Sequence, residues 1–514
     1  MTSLWKLDAA VVTGTPFEPG RRHHVIVVGA GITGLSTALM LARKGLDVAV
    51  LEARDVGNLA TGANTGKLSL LQGKVLSTLR AHHPAALVRA YVDANREGAE
   101  WLTSFADSAG VTYTRRIAYS YAQSGDGVDC VDAERRAAHE AGLDVRRVLP
   151  EGDGPFPIVD AVALDDQVAL DPQAVALALA RAFVAAGGRL HTGTRVTQVH
   201  VLPRAVVETT SGFASADHVV LATAAPIMER GFYFAKTRGL RSYCVAFDVP
   251  GEVPDGLYLS VDGPTRSIRS VTPSDGPGAP EGPSRLVVGG NGHPVGRADS
   301  EREHVDDLIA WTIRHFPGAQ PITAWSAQDY ESHDLMPFVG AMPRGLGRVR
   351  FATGFGKWGL SNGPAAALRL TAEITRVPWR DRPEWMKTIS RRMTVPADIG
   401  RGGVENLRVG WEAAAGWVGA QRMPVPVAQP EEGEGVVANR GGQPVGISTV
   451  GGTTRAVSAV CSHLGGVLTW NDAECTWDCP LHASRFAPDG TRIEGPATRD
   501  LTGLPRSGPP GERY

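Results

Sequence analysis

The chain has 514 residues, 43% of them hydrophobic and 21% charged, with a net charge of -2 and five cysteines. That length exceeds one simple core and predicts two or three structural units. The small net charge excludes a broad attraction to nucleic acid or membrane, and five cysteines in so long a chain exclude a disulfide framework, so a reduced, cytoplasmic setting is expected. The opening MTSLWKLDAAVVTGTPFEPG lacks a basic-then-apolar signal pattern, and no apolar run is long enough to span a bilayer. Arg21-Arg22 has the form of a twin-arginine signal, but VIVVGAG follows at once and reads as a strand and turn.

From His23 to Ala53 the chain reads HHVIVVGAGITGLSTALMLARKGLDVAVLEA. Val25 to Val28 is a β-branched apolar run that suits a buried parallel strand. Gly29, Gly31 and Gly34 form G-x-G-x-x-G, the next segment has helical periodicity up to Gly45, and DVAVLE reads as the second strand. Gly29 permits the tight turn, Gly31 lets the backbone approach a pyrophosphate, and Gly34 lets helix and strand pack closely. The helix N-terminus offers free N–H groups and the positive end of its dipole to phosphate. Glu52 follows 18 residues after Gly34, placed to accept ribose hydroxyls. The motif sits between a strand and a helix and meets an acid at the expected spacing. That points to dinucleotide binding rather than a merely structural glycine turn.

EARDVGNLATGANTGKLS then forms a Gly/Thr/Asn-rich loop. GTRVTQV (193–199) and ADHVVLAT (216–223) read as further strands of the same unit, and FATGFGKWGLSNGPAAALRLTAEI (351–374) as a glycine-rich loop feeding a helix. Taken together, these segments resemble the glycine oxidase/D-amino acid oxidase family of flavoenzymes over roughly Val25 to Ile374. The resemblance implies FAD rather than NAD. It implies that Gly29, Gly31, Gly34, Glu52, Ala53 and Arg54 hold the ADP half, with Val196 contributing backbone contacts to adenine. Thr61, Gly62, Asn64, Thr65 and Lys67 would line the ribityl chain and ring. Gly354, Gly356, Lys357, Trp358, Gly359 and Leu360 would lie at the pyrimidine edge. Some relatives attach FAD through a late cysteine; none lies between Cys244 and Cys461, so noncovalent FAD is expected.

Residues Lys74 to Arg147 read as helical, and Arg238 to Ala324 as short strands and loops. In the resembling family such insertions cover the reactive face of the flavin, where hydride leaves the carbon next to an amine. Arg266 and Arg269 are placed on one alternating face, able either to clamp a carboxylate or to be solvated. His333 and Asp334, in QDYESHDLMPFVG, are candidates to face substrate. Lys67 and Lys357 are candidates to stabilise reduced flavin or steer oxygen. The candidate catalytic set is thus Lys67, Arg269, His333 and Lys357.

After RVPWRDRPEW a connecting arm is expected, then an all-β module of short strands punctuated by glycine. There Cys461-x-His463 and, after 15 intervening residues, Cys479-x-x-His482 each bring one thiolate and one imidazole. A zinc finger groups like with like. One of each per loop suits a [2Fe–2S] cluster with both thiolates on one iron and both imidazoles on the other, although zinc stays open on spacing alone. CSHLGG…WDCPLHASRFAPDG…GPA resembles the Rieske family over about Gly433 to Leu501. High-potential members bridge their two loops by a disulfide, and the matching positions here are Gly466 and Leu481. Ser484 keeps a hydroxyl, and Phe486 stands where those members place a tyrosine. Fewer donors imply a potential toward the lower Rieske range. Cys475 reads as a plain loop cysteine.

The fold class expected is α/β: a Rossmann-like FAD domain of glutathione-reductase type with an α+β substrate domain, plus an all-β Rieske domain. The oxidoreductase region is expected at 20–375 with insertions at about 86–150 and 235–325, the arm at 376–425 and the Rieske domain at 426–514. The expected partners are a small amine-like substrate and an external acceptor (oxygen, ferredoxin or another carrier), with no nucleic acid and no membrane span. The expected activity is amine or amino-acid oxidation with electrons leaving singly through the exposed histidine edge of the cluster. The alternatives are an electron-transfer component and a tailoring oxidase whose cluster is mostly structural.

Overall fold

Val25 to Val28 and Val48 to Leu51 are buried without alternation, so both run as inner parallel strands. The computed structural model describes residues 1–504 apart from Asp8, 150–153, Glu229, 273–284, 393–395 and Pro426. The last ten residues of the expected Rieske domain and its first residue lie outside the described residues. Arg22–Val28 pairs in parallel with Gly212–Leu221 on one side and Val48–Leu51 on the other, and Val349–Thr353 and Arg189–His191 extend the sheet in parallel. The helix Ile32–Ala42 is buried along its whole length, covered by Pro172–Ala185 and Gly359–Ile374. Asp171 starts the Pro172–Ala185 helix by accepting from the N–H groups of Gln173 and Ala174, with Pro172 at the first helical position.

The second sheet has nine strands and is antiparallel but for one pair, Gly256–Ser260 with Tyr113–Ala122. It runs from Gln320–Ser332 through Thr237–Asp248 and Arg285–Pro294 to Lys67–Leu68. Here the structure corrects the helical reading of 74–147. Tyr113–Ala122 is an inner strand and Arg146–Val148 a short one, while Val75–His82, Ala85–Ala109 and Val128–Glu140 are helices. TYTRRIAYSYA is rich in aromatic residues, which pack on a pleated face. The helix Glu301–His315 was also absent from the strand-and-loop reading of 238–324.

Beyond 374 the chain forms a 26-residue helix, Pro396–Gln421, which carries six glycines. Two of them allow close approach: a Cβ at Gly402 would lie 2.9 Å from His333 Nδ1, and one at Gly416 would lie 3.1 Å from Val467. The C-terminal part is all-β, with a three-stranded sheet (435–440, 443–450, 453–458) and a four-stranded one (469–471, 476–478, 485–486, 492–494), both antiparallel. No helix among the described residues is long and apolar enough to cross a membrane.

Candidate functional site

Two adjoining hollows open over the parallel sheet. Gly29, Gly31, Glu52, Ala53, Arg54 and Val196 line the smaller, about 140 Å³. The backbone allows this because Gly29 holds φ +106°, and a Cβ at Gly34 would lie 2.0 Å from Gly29 O. Gly34 therefore packs helix to strand and does not line the hollow. Gly31 and Thr61 stand at the neck shared with the larger hollow, where a Cβ at Gly31 would come within 3.0 Å of Thr61 Oγ1. Glu52 accepts from the N–H of Ala30 (2.7 Å) and of Arg54 (2.9 Å). Burial raises its pKa, and those two N–H groups oppose the rise. The expected ribose acid thus also braces the glycine loop.

Asn64, Thr65, Lys67, Gly354, Lys357 and Trp358 line the larger hollow, about 240 Å³, with Gly359 and Leu360 beyond them at the start of the last helix. Gly62 and Gly356 do not line it: Gly62 backs onto Gln173 and Lys6, and Gly356 turns the late loop, its N–H donating to Tyr330 O. Lys67 Nζ donates to Tyr258 O (2.6 Å) and Ser267 Oγ (2.8 Å). Burial, with help from the Arg269 cation, brings its pKa down to about 7. Burial likewise lowers Lys357 and raises Asp329 to about 6. Asp329 accepts from the backbone N–H groups of Lys357 and Tyr330. Asp329, Gln328 and Cys244 line this hollow and were missed; Asp329 lies only four residues before His333, in the very segment chosen.

Two candidates are elsewhere. Arg269 is fully buried outside the hollow, its guanidinium donating to the carbonyls of Thr65, Gly66 and Leu170 and lying 5.3 Å over the Trp5 ring. It braces the loop before Lys67. Arg266 instead meets Asp307 and Asn291. Three residues apart on one strand, the two arginines project from opposite faces, so they form no clamp. His333 packs on the Pro396–Gln421 helix among Arg238, Glu331 and Glu405, and Asp334 pairs with Arg392 (3.1 Å), so neither faces the hollow.

Cys461 and Cys479 share a hydrogen bond, which holds Cys461 below the ordinary thiol range and pushes Cys479 well above it. The His463 N–H and the Ser484 hydroxyl also point at Cys461, and the N–H groups of His482 and Leu481 at Cys479. His463 and His482 lie with ring centroids 5.1 Å apart. His482 Nδ1 is buried without a hydrogen-bond partner, and burial, then His463, lowers its pKa to about 3, leaving the neutral imidazole that binds metal. Among the described residues no three His, Cys, Asp or Glu side chains gather around one ion. Two thiols beside two imidazoles fit a binuclear cluster, in which each iron takes two protein ligands. A Cβ at Gly466 would lie 2.5 Å from Leu481 Cδ1, so this pair packs the two loops together. Of the expected histidine edge, His482 is 8% exposed while His463 is half-buried, and Phe234 of the substrate sheet's flank lies edge-on to both rings.

The C-terminal sheets dock tightly. Ala483 O accepts from Gln328 Nε2 (2.7 Å) and Tyr330 OH (3.3 Å). Buried Arg241 pairs with Glu474 and Asp478, and Arg485 pairs with both and with Glu494. Asp472 caps the helix Glu301–His315 through Ser300 and the N–H groups of Glu301 and Arg302. Ser3 and Trp5 brace the cofactor loop at Gly62 O and Asn64 O. None of these long-range contacts leaves a local sequence signal.

Comparison with known proteins agrees with this geometry. Residues 24–374 match the model of FAD dependent oxidoreductases, and residues 423–505 match that of the Rieske [2Fe-2S] domain. A Bacillus subtilis (strain 168) protein, YhfW, provisionally named a Rieske 2Fe-2S iron-sulfur protein, is 27% identical over 97% of this chain and 96% of its own length. Glycine oxidase of Bacillus licheniformis is 27% identical over 71% of this chain and 96% of its own length. Among solved structures, glycine oxidase from Geobacillus kaustophilus superposes with a TM-score of 0.59 at 19% identity, covering 73% of this chain and all of that one. L-amino acid deaminase from Proteus myxofaciens superposes at 0.57 and 18% identity, covering 72% of this chain and 94% of that one. At those identities the likeness shows the fold.

Proposed function

The chain belongs to the FAD dependent oxidoreductase family and carries a Rieske [2Fe-2S] domain after it, and from that premise we propose that it oxidises the carbon–nitrogen bond of a small amine or amino-acid-like substrate and releases the electrons singly to an external acceptor. The observation that carries this reading is Gln328. It lines the larger hollow and donates to Ala483 O, in the loop of Cys479 and His482, so substrate hollow and cluster loop share one wall. When bound, FAD supplies hydride-accepting chemistry and the cluster one-electron chemistry. The relative named for glycine, glycine oxidase of Bacillus licheniformis, supports the substrate class.

The chain's own groups then have defined tasks. Lys67, with a pKa of about 7, takes up a proton near neutral pH and is suited to receive one from a substrate ammonium, leaving the neutral amine that oxidation needs. Asp329 fixes the Lys357 backbone at φ +73° and so shapes the late loop. The apolar walls around Leu259 and Leu360 exclude water.

The structural-cluster reading draws support from the burial of His482 beneath Phe234, and one variant separates the two. Cys461→Ser removes a cluster ligand. Anaerobic mixing with a panel of amines is expected to bleach the flavin at a rate within about 2-fold of wild type, while turnover with a one-electron acceptor falls at least ~100-fold. Turnover at the full rate would reject the relay.

A further inference from the structure

The smaller hollow is closed by residues from the far end of the chain. Arg492, Ile493, Glu494 and Gly495 line it opposite Glu52 and Arg54, although some 440 residues of sequence lie between. Arg492 is 5% exposed, and its Nε has no hydrogen-bond partner; one terminal nitrogen donates to Gly495 O (2.9 Å). Arg195, on the dinucleotide side, donates to Arg492 O (3.1 Å) and lines the same hollow. Three guanidinium groups, those of Arg54, Arg195 and Arg492, therefore converge on one small space. The carboxylates around them are already engaged: Glu52 accepts from backbone N–H groups, Glu494, which lines the hollow too, pairs with Arg485, and Asp500 accepts from the Arg492 N–H. Buried guanidinium donors beside engaged carboxylates call for an acceptor-rich anion.

We propose that the Rieske domain supplies part of the FAD site: Arg492, in the wall of the hollow, donates from its guanidinium to the adenosine-phosphate end of FAD, so cofactor binding and domain docking are linked. The linkage has a physical path. A Cβ at Gly495 would lie 2.5 Å from Ser484 Cα and 2.6 Å from Ala483 O, so the wall of the hollow is packed directly against the second cluster loop. That loop is in turn held by Gln328 and Tyr330. FAD bound only to the docked arrangement stabilises docking, and docking by the same factor tightens FAD.

Full-length protein stripped of flavin but retaining its cluster tests this with FAD itself as the probe. In wild type, hydrogen exchange at the amides of 492–495 is expected to slow on adding FAD. By flavin fluorescence titration, Arg492→Gln is expected to bind FAD about 10- to 100-fold more weakly, the loss of one charge-assisted hydrogen bond, and Arg492→Lys to lose less. An unchanged cluster EPR spectrum shows that the variants are folded. Exchange at 492–495 that ignores FAD overturns the proposal, whether or not the variants fold. So does an Arg492→Gln protein with an intact cluster that binds FAD as wild type does.

Discussion

The larger hollow and the seam between the two domains both bury ionisable groups, with opposite results. In the hollow, Lys67 lies beside the like charge of Arg269, and the attraction between Lys357 and Asp329 does not outweigh their burial, so burial moves each of the three toward its neutral form. At the seam, burial also opposes ionisation. Yet Arg485 and Arg241 hold the carboxyls of Glu474 and Asp478 below their ordinary range, and those acids raise Arg485 above its own. Pairing, not depth, separates the two. A buried group whose counter-charges do not outweigh its burial is ready to exchange a proton; one that is fully cross-paired is fixed and holds elements together.

The sharpest way to break the comparison is at the seam. Arg485→Met leaves Glu474, Asp478 and Glu494 buried with less compensation, and should cost about 3–5 kcal/mol. Urea unfolding followed by cluster absorbance measures it, and a loss under about 1 kcal/mol would mean the seam is not locked by pairing.

The hollow should answer differently. Lys67→Met is expected to slow flavin reduction by substrate about 100-fold and to remove an inflection near pH 7 above which the wild-type rate rises. Its stability effect has a sign opposite to that of the seam. The folded pKa of Lys67, about 7, lies below its ordinary 10.5, so the unfolded chain binds the extra proton between those values. Wild-type stability from this group therefore falls as pH drops from 10.5 toward 7 and levels off below, and the variant should lack that slope. Urea midpoints at pH 7 and pH 9 check it.

The smallest expected effect concerns the cluster. Phe486 is fully buried among Cys461, Cys479 and Trp477. Phe486→Tyr would offer one further donor near the cluster, worth about 1 kcal/mol or roughly 40 mV upward for a one-electron couple. Redox titration reads it, and an unchanged or lower midpoint would show that donor count does not set this potential.

Much of the site was legible because its signals are local. Gly29, Gly31 and Gly34 need only the strand before and the helix after, and Cys461, His463, Cys479 and His482 stand out as two short Cys-His pairs. The catalytic candidates were less legible for a physical reason. Arg269 and His333 are chemically able residues, but what a side chain faces is set by its partners across the sheet. A strand parity rule does place Arg266 and Arg269 on opposite faces. Nothing local distinguishes Asp329, which lines the hollow, from Asp334, which pairs with Arg392.

The sequence by itself carried the order of the two domains and the four candidate cluster ligands, as residue kinds at short, regular intervals, and through its two family resemblances it carried both cofactor types. Only the tertiary structure decided that Phe234 covers the cluster histidines, that Gln328 joins hollow to cluster loop, and that Arg492 closes the dinucleotide hollow. Those contacts join residues far apart in the chain, and they exist because two domains bury complementary surfaces, which no single stretch of sequence encodes.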